Sequence, residues 1–368
     1  GDVTVGDYLA SRFPDRARAL QGVFAITMVV FLAAYVAGQL VGGAKAMHQA
    51  LGGGEGSVLA WLAGISVVVL VYVVAGGFRA VSWTDVAQGV LMLVALVALP
   101  IAAIVHYGGL QATIAALGPL ADPMHKGGAW VVTGLAVGLG SPGQPHILVR
   151  YMSARREADL KRAALIGTSW NVVLGGGALL IGLAARVCFG DSVPTSDDAF
   201  TLLAAHHLPG FLFGLVLAAL LAAVMSTVDS QVLVVASALT RDLRRALRRP
   251  ELPPRRAAKV ARLASTSLIL LATILGAWSL LSEGDTESAR ILTGLVNKWV
   301  LFAWGGLGAA IGPAILLSLY WRRMTGPAAL AAMLVGGVTA CVWRGLVKPH
   351  MSALSEPPAW WPWVSYEL

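Results

Sequence analysis

The chain has 368 residues, of which 57% are apolar and 12% are charged, whereas about 25% of residues are charged in an ordinary soluble domain. Mean hydropathy is +0.74. This composition excludes a soluble globular protein, a disordered chain and a disulfide scaffold, and it predicts an all-α polytopic membrane protein. The net charge of +8 says little alone, because the location of charge matters more in a membrane protein.

Apolar segments long enough to cross about 30 Å of hydrocarbon recur along the chain. We predict nine, at 20–43, 57–76, 84–106, 128–145, 163–187, 209–238, 259–281, 299–320 and 326–345. Twenty of the 27 Lys and Arg residues fall in alternate loops, beginning with the N-terminal segment. The positive-inside rule then predicts a multi-pass protein of the inner (plasma) membrane, with the N-terminus in the cytoplasm and the C-terminus outside.

The most basic loop follows segment 209–238 and reads RDLRRALRRPELPPRR. Such a run can bind nucleic acid. Between two spans it instead indicates membrane topology and contact with lipid headgroups. We therefore expect the lipid bilayer as a partner and no nucleic acid.

Segment 209–238 carries polar residues at its centre, where hydrocarbon makes them costly. They are Ser226, Thr227, Asp229, Ser230 and Gln231. Hydroxyls three and four residues apart share a helix face, and together with a carboxylate they suit a hard cation. The alternative is that the hydroxyls bond back to their own helix or across to a neighbour.

A second intramembrane carboxylate, Asp85, stands in SWTDVAQG at the start of segment 84–106. The predicted topology puts it toward the cytoplasmic side, where it can approach the polar cluster. The alternative is that Asp85 caps the N-terminus of its helix.

Segment 128–145 is predicted to be a broken helix, because Gly138, Gly140, Pro142, Gly143 and Pro145 crowd its second half. Broken helices in the membrane build substrate sites in secondary transporters. The alternative is that the helix ends near residue 140 and a cytoplasmic loop comes after it.

A polar pair lies on segment 20–43, where Tyr35 and Gln39 are four residues apart on one face. They can line the same cavity as the broken helix, or they can bond to a neighbouring helix.

Five collinear stretches resemble the sodium:solute symporter family, most closely its sodium/proline symporters. They are GDYLASRF, GGFRAVSWTDVAQ, GQPHILVRYMSA, LAAVMSTVDSQVLVVASALTRDL and AWGGLGAAIGPAILLSLYWRRMTGPAALAAMLVG. The resemblance implies a leucine-transporter-type core of two inverted five-helix repeats in a single transmembrane domain, 1–368. Residues 1–106 then correspond to helices three to five of the first repeat, 128–320 to the second repeat and 326–345 to a peripheral helix. The first two core helices are expected to be missing, as in an internal fragment.

The resemblance also implies ligands for sodium. Ser226 and Thr227 match its hydroxyl ligands, and the carbonyl of Ala223 lies close by. Asp85 matches an acidic residue implicated in sodium coupling. In members with a second sodium ion, that aspartate is joined by residues that match Asp229 and Ser230.

Substrate contacts are implied around the break and at Tyr35. Proline transporters carry an aromatic pair on the broken helix where this chain has Val137 and Ser141, so a less aromatic pocket is expected. The complete candidate set for substrate is Tyr35, Gln39, Val137, Gly140, Ser141, Gln144 and Pro145.

The expected function is secondary active symport of sodium with a small organic solute by alternating access. Proline, or another small amino acid or carboxylate, is the expected solute. No cofactor other than sodium as the coupling ion is expected. No enzyme activity is expected either, because no nucleophile and base are paired. The alternative is a transporter-like sensor domain of a histidine kinase.

Overall fold

The computed structural model is helical in the part of the chain that it describes, residues 4–54, 56–122, 128–154, 156–190, 198–281 and 295–347. Its α-helices are α1 (Val5–Arg12), α2 (Ala17–Leu51), α3 (Ser57–His106), α4 (Leu110–Leu117), α5 (Gly128–Leu139), α6 (Pro145–Met152), α7 (Glu157–Phe189), α8 (Ala199–His207), α9 (Gly210–Ser237), α10 (Leu243–Ala246), α11 (Pro254–Leu281), α12 (Leu295–Tyr320) and α13 (Gly326–Val342). A 3₁₀ turn at Ser141–Gly143 separates α5 from α6, and a π-helical turn at Ala238–Asp242 connects α9 to α10.

Eight helical segments within these ranges are long and apolar enough to cross a membrane. They match eight of the nine predicted spans, and most extend a few residues further than predicted. The ninth prediction, 128–145, falls on α5 and α6, which are too short to qualify singly. The chain is thus a multi-pass membrane protein.

The predicted loop between segments 57–76 and 84–106 is wrong, because α3 is helical from Ser57 to His106. The two parts of α3 are nevertheless not collinear. The hydroxyls of Tyr72 and Thr84 are in contact although twelve residues separate them, and twelve residues of straight helix rise about 18 Å. The axis therefore turns sharply between these residues, and α3 supplies two separate spans.

The core is organised around α2, which packs against α3, α9, α11 and α12. Its residues Leu32, Val36 and Leu40 are fully buried. The outer helices differ, because α7 and α13 present large apolar side chains on their exposed faces. Such a surface fits a protein whose periphery contacts hydrocarbon.

A polar cluster links α1 to the turn after α9 at one end of the molecule. Thr4 caps α1 by accepting a hydrogen bond from the Asp7 N–H at 2.9 Å, and its own hydroxyl donates to Asp242 at 2.9 Å. The buried Asp7 carboxylate pairs with Arg241 at 3.4 Å and also with Arg245. The N-terminal segment and the basic stretch thus lie at the same end, as the predicted topology requires.

Candidate functional site

The predicted break in segment 128–145 is confirmed. Helix α5 ends at Leu139, a single 3₁₀ turn covers Ser141–Gly143, and α6 begins at Pro145. Pro142 and Pro145 each lack the N–H that a continuous helix would require. The alternative of a loop after residue 140 is wrong, because residues 145–152 form a helix.

Helix α12 packs directly on the break through glycines. A Cβ atom built on Gly143 would lie 2.5 Å from the carbonyl oxygen of Leu307 and 2.6 Å from the Cα of Gly308. A Cβ built on Gly308 would lie 2.7 Å from the Cα of Gly140. The two backbones are in contact here, and only glycine permits that approach.

Two polar side chains satisfy backbone carbonyls at the break. The indole Nε1 of Trp304, on α12, donates to the carbonyl oxygen of Val137 at 2.9 Å. The Nε2 of Gln144 donates to the carbonyls of Gly140 at 3.1 Å and of Trp304 at 3.0 Å. Gln144 is fully buried, and its Oε1 has no hydrogen-bond partner. Gln144 Oε1 is therefore a buried acceptor at the break that can accept a hydrogen bond from a ligand.

The other predicted substrate residues lie near the break to different degrees. Tyr35 is buried, and its ring meets the ring of His146 edge-on with centroids 6.1 Å apart. Gln39 is half-buried one turn further along α2, and Val137 and Ser141 are half-buried too. The structure therefore brings Tyr35 to the break, as predicted.

A cavity of about 660 Å³ lies beside the break, between α5, α12 and α13. Val137, Gly140 and Pro142 line it, but Tyr35 and Gln144 do not. Its other walls are almost wholly apolar. The polar candidates for substrate binding therefore lie outside the lining of this cavity.

The hydroxyls of Ser226 and Thr227 converge on one carbonyl. Both donate to the oxygen of Ala223, at 3.1 Å and 2.9 Å. Ser230 likewise donates to the carbonyl of Ser226 at 2.9 Å. The expected alternative of bonding back to the helix is thus what the hydroxyls do here. A hydroxyl that donates a hydrogen bond keeps its oxygen lone pairs for a cation. The back-bonds are therefore compatible with the predicted role of these hydroxyls as sodium ligands.

Asp85 lies near the polar cluster of α9, with an Arg150 nitrogen between its carboxylate and the Ser230 hydroxyl. Arg150 Nη2 lies 2.6 Å from Asp85 Oδ2 and 2.5 Å from Ser230 Oγ. Asp229 is fully buried, and its Oδ1 accepts from Ser230 at 3.2 Å. The capping alternative for Asp85 is wrong, because Asp85 lies inside α3.

These oxygens suit sodium better than a transition metal. In the described ranges, no group of three or more His, Cys, Asp or Glu side chains is placed to hold a metal ion. The centre of α9 instead offers hydroxyl, carbonyl and carboxylate oxygens, which are ligands for hard cations.

Sequence reasoning missed two residues of this region. The loop charges place Arg150 in a cytoplasmic loop, yet it lies on α6 and reaches Asp85 and Ser230. Its position five residues after Pro145 is the available signal, because it lies on the half-helix after the break. Trp304 stands within a family motif, and no local pattern links it to a break some 160 residues away.

Comparison with known proteins gives a consistent result. The family model of the "Sodium:solute symporter family" matches residues 1–336. The Osmoregulated proline transporter OpuE of Bacillus subtilis is 36% identical over 356 residues, which cover 94% of this chain and 69% of that protein. The Sodium/proline symporter of Escherichia coli is 34% identical over 354 residues, which cover 93% of this chain and 67% of that protein.

A solved structure shares the fold. It is the substrate-bound, outward-open state of a Na⁺-coupled sialic acid symporter, with a TM-score of 0.66 and 18% sequence identity. The match covers 92% of this chain and 77% of that one. The helical core thus has a known structural counterpart, a leucine-transporter-type fold. With the family model matched over most of its length, this chain belongs to the sodium:solute symporter family and is a transporter, not an enzyme.

Proposed function

We propose that the protein is a sodium-coupled symporter for a small amino acid or carboxylate, with proline as the first candidate. The names of its relatives support this proposal, since several are proline transporters or sodium/proline symporters. The names of these relatives do not support the alternative of a kinase sensor domain. Transport would proceed by alternating access around the broken helix.

The observation that carries sodium coupling is the convergence of three oxygens on α9. The hydroxyls of Ser226 and Thr227 both lie within 3.1 Å of the carbonyl oxygen of Ala223, along a single turn. A cation bound there would contact the two hydroxyl oxygens through the lone pairs that the back-bonds leave free. Asp85, Asp229 and Ser230 would then form a second cation site nearby.

The substrate class is inferred from the groups at the break. The unpaired Oε1 of Gln144 favours a ligand that carries an N–H donor. Helix α6 begins beside it, and the positive end of its dipole favours a carboxylate. Val137 and Ser141 leave room for a modest aliphatic body, and Tyr35 offers one hydroxyl. A small amino acid carries an N–H donor, a carboxylate and a modest aliphatic body, whereas a sugar would require more polar side chains around it.

The orientation and the repeat assignment belong to the same proposal. The N-terminus of this chain would lie in the cytoplasm together with the basic stretch after α9, and residues 348–368, outside the described residues, would come after α13 on the outer side. Residues 1–106 would supply helices three to five of the first repeat, 128–320 the second repeat, and 326–345 a peripheral helix.

Uptake into vesicles that contain the full-length protein tests the proposal. Radiolabelled proline, other small amino acids, short carboxylates and sugars are compared under an inward sodium gradient and under a potassium gradient. Sodium-dependent uptake of proline or another small amino acid is the expected result. Transport of a sugar but of no carboxylate-bearing solute would contradict the substrate assignment, and uptake without sodium would contradict the coupling.

A further inference from the structure

A positively charged side chain occupies the proposed second cation site. Arg150 Nη2 lies 2.6 Å from Asp85 Oδ2 and 2.5 Å from Ser230 Oγ, which brings these two oxygens within about 5 Å of each other. The contact joins α6 to α3 and α9. A guanidinium nitrogen thus holds two of the oxygens that a sodium ion would need.

The site has more acceptors than Arg150 satisfies. Asp85 Oδ1 and Asp229 Oδ2 are buried and have no hydrogen-bond partner. Two carboxylates face one guanidinium, and Asp229 is fully buried. Uncompensated charge in the interior is costly, so these oxygens favour an additional or a replacement cation.

The carboxylates are held in place, whereas Arg150 can withdraw. The Asp85 side chain is 11% exposed, and the Arg150 side chain is 53% exposed. Helix α6 has eight residues, and among them only Pro145, at the opposite end, is buried. A long, half-exposed side chain can exchange its partners for water at little cost.

We propose that Arg150 is a tethered cation that exchanges with a sodium ion at the site formed by Asp85, Asp229 and Ser230. The guanidinium and sodium exclude each other because they use the same oxygens of Asp85 and Ser230. Since α6 comes directly after the break, sodium binding would release the Arg150 contact that ties this half-helix to Asp85 on α3 and Ser230 on α9. Arg150 is a positioning residue, because it holds α6 against α3 and α9. The inference rests on the proposed function.

Sodium binding to the purified full-length protein tests the exchange. Binding of ²²Na⁺ is measured for the wild type, Arg150→Gln, Arg150→Lys and the control Arg156→Gln, which changes an exposed arginine just beyond α6. Loss of the competing cation should lower the half-saturating sodium concentration of Arg150→Gln about tenfold. The half-saturating sodium concentrations of Arg150→Lys and Arg156→Gln should stay near that of the wild type. Adding Asp85→Asn to Arg150→Gln should abolish the gain in sodium affinity.

A second measurement requires no variant. Hydrogen exchange of the α6 amides in the wild type should become faster when sodium is added, because α6 loses the Arg150 contact with Asp85 and Ser230. Slower or unchanged exchange, or an unchanged or raised half-saturating concentration in Arg150→Gln, would overturn the exchange. A wild type that binds no sodium would overturn the proposed function as well, so the two failures are distinguishable.

Discussion

Replacement of Gly143 by alanine tests whether contact with α12 sets the geometry of the break. The added Cβ would lie 2.5 Å from the Leu307 carbonyl oxygen and 2.6 Å from the Gly308 Cα. Non-bonded atoms prefer about 3.5 Å or more, so one backbone has to move by about 1 Å. Overpacking of this kind costs about 1–3 kcal/mol. Because both obstacles are backbone atoms, no side-chain rotation relieves the clash.

The assay is sodium-driven uptake by the full-length variant together with its thermal unfolding in detergent. We expect a weaker apparent affinity for the solute, with about a tenfold loss for each 1.4 kcal/mol that falls on the site. Gly138→Ala is the matched control, because a Cβ on Gly138 meets no atom within 4 Å. If Gly143→Ala transports and unfolds like Gly138→Ala, then α12 does not position the break.

Two further predictions concern the ends of the molecule. Asp7→Asn should lower the unfolding midpoint by removing about 1–3 kcal/mol of stability, because Asp7 is the buried partner of Arg241 and Arg245. The exposed Asp159→Asn should leave the midpoint unchanged, and equal midpoints in the two variants would refute the role of this cluster. Burial and two neighbouring histidines lower the pKa of His207, so the folded state resists a proton that the unfolded state accepts. The free energy of unfolding should therefore fall as pH drops below about 6.5. His207→Asn should reduce that fall, which thermal unfolding at several pH values measures. An equal fall in the variant and the wild type would contradict the lowered pKa of His207.

The spans were predictable because long apolar runs and loop charges are local properties of the sequence. The break at Gly140–Pro145 was predictable for the same reason, since glycine and proline act on their own backbone. The helical state of the connection within α3 was not predictable, because the expected loop came from the gap between two apolar segments and not from a helix-breaking signal. Local signals therefore located the break and the polar centre of α9, but not the contacts between them.

The contacts within the site required the three-dimensional arrangement. Sorting charges by loop treats Arg150 as a topology signal, yet its long side chain reaches Asp85 on a distant helix. Trp304 supports Val137 across 167 positions of sequence. The hydroxyls of α9 could be placed on one face from their spacing, but their convergence on the Ala223 carbonyl depends on their rotamers.

The sodium dependence of proline uptake in hydroxyl variants of the full-length protein tests the central claim most directly. Ser226→Ala and Thr227→Ala should each raise the sodium concentration for half-maximal uptake. Ser237→Ala is the matched control, because its hydroxyl also bonds back to the same helix, at Leu233, two turns or more from the candidate site. An unchanged sodium dependence in both variants, or an equal change in Ser237→Ala, would contradict the assignment of this hydroxyl pair to the coupling ion.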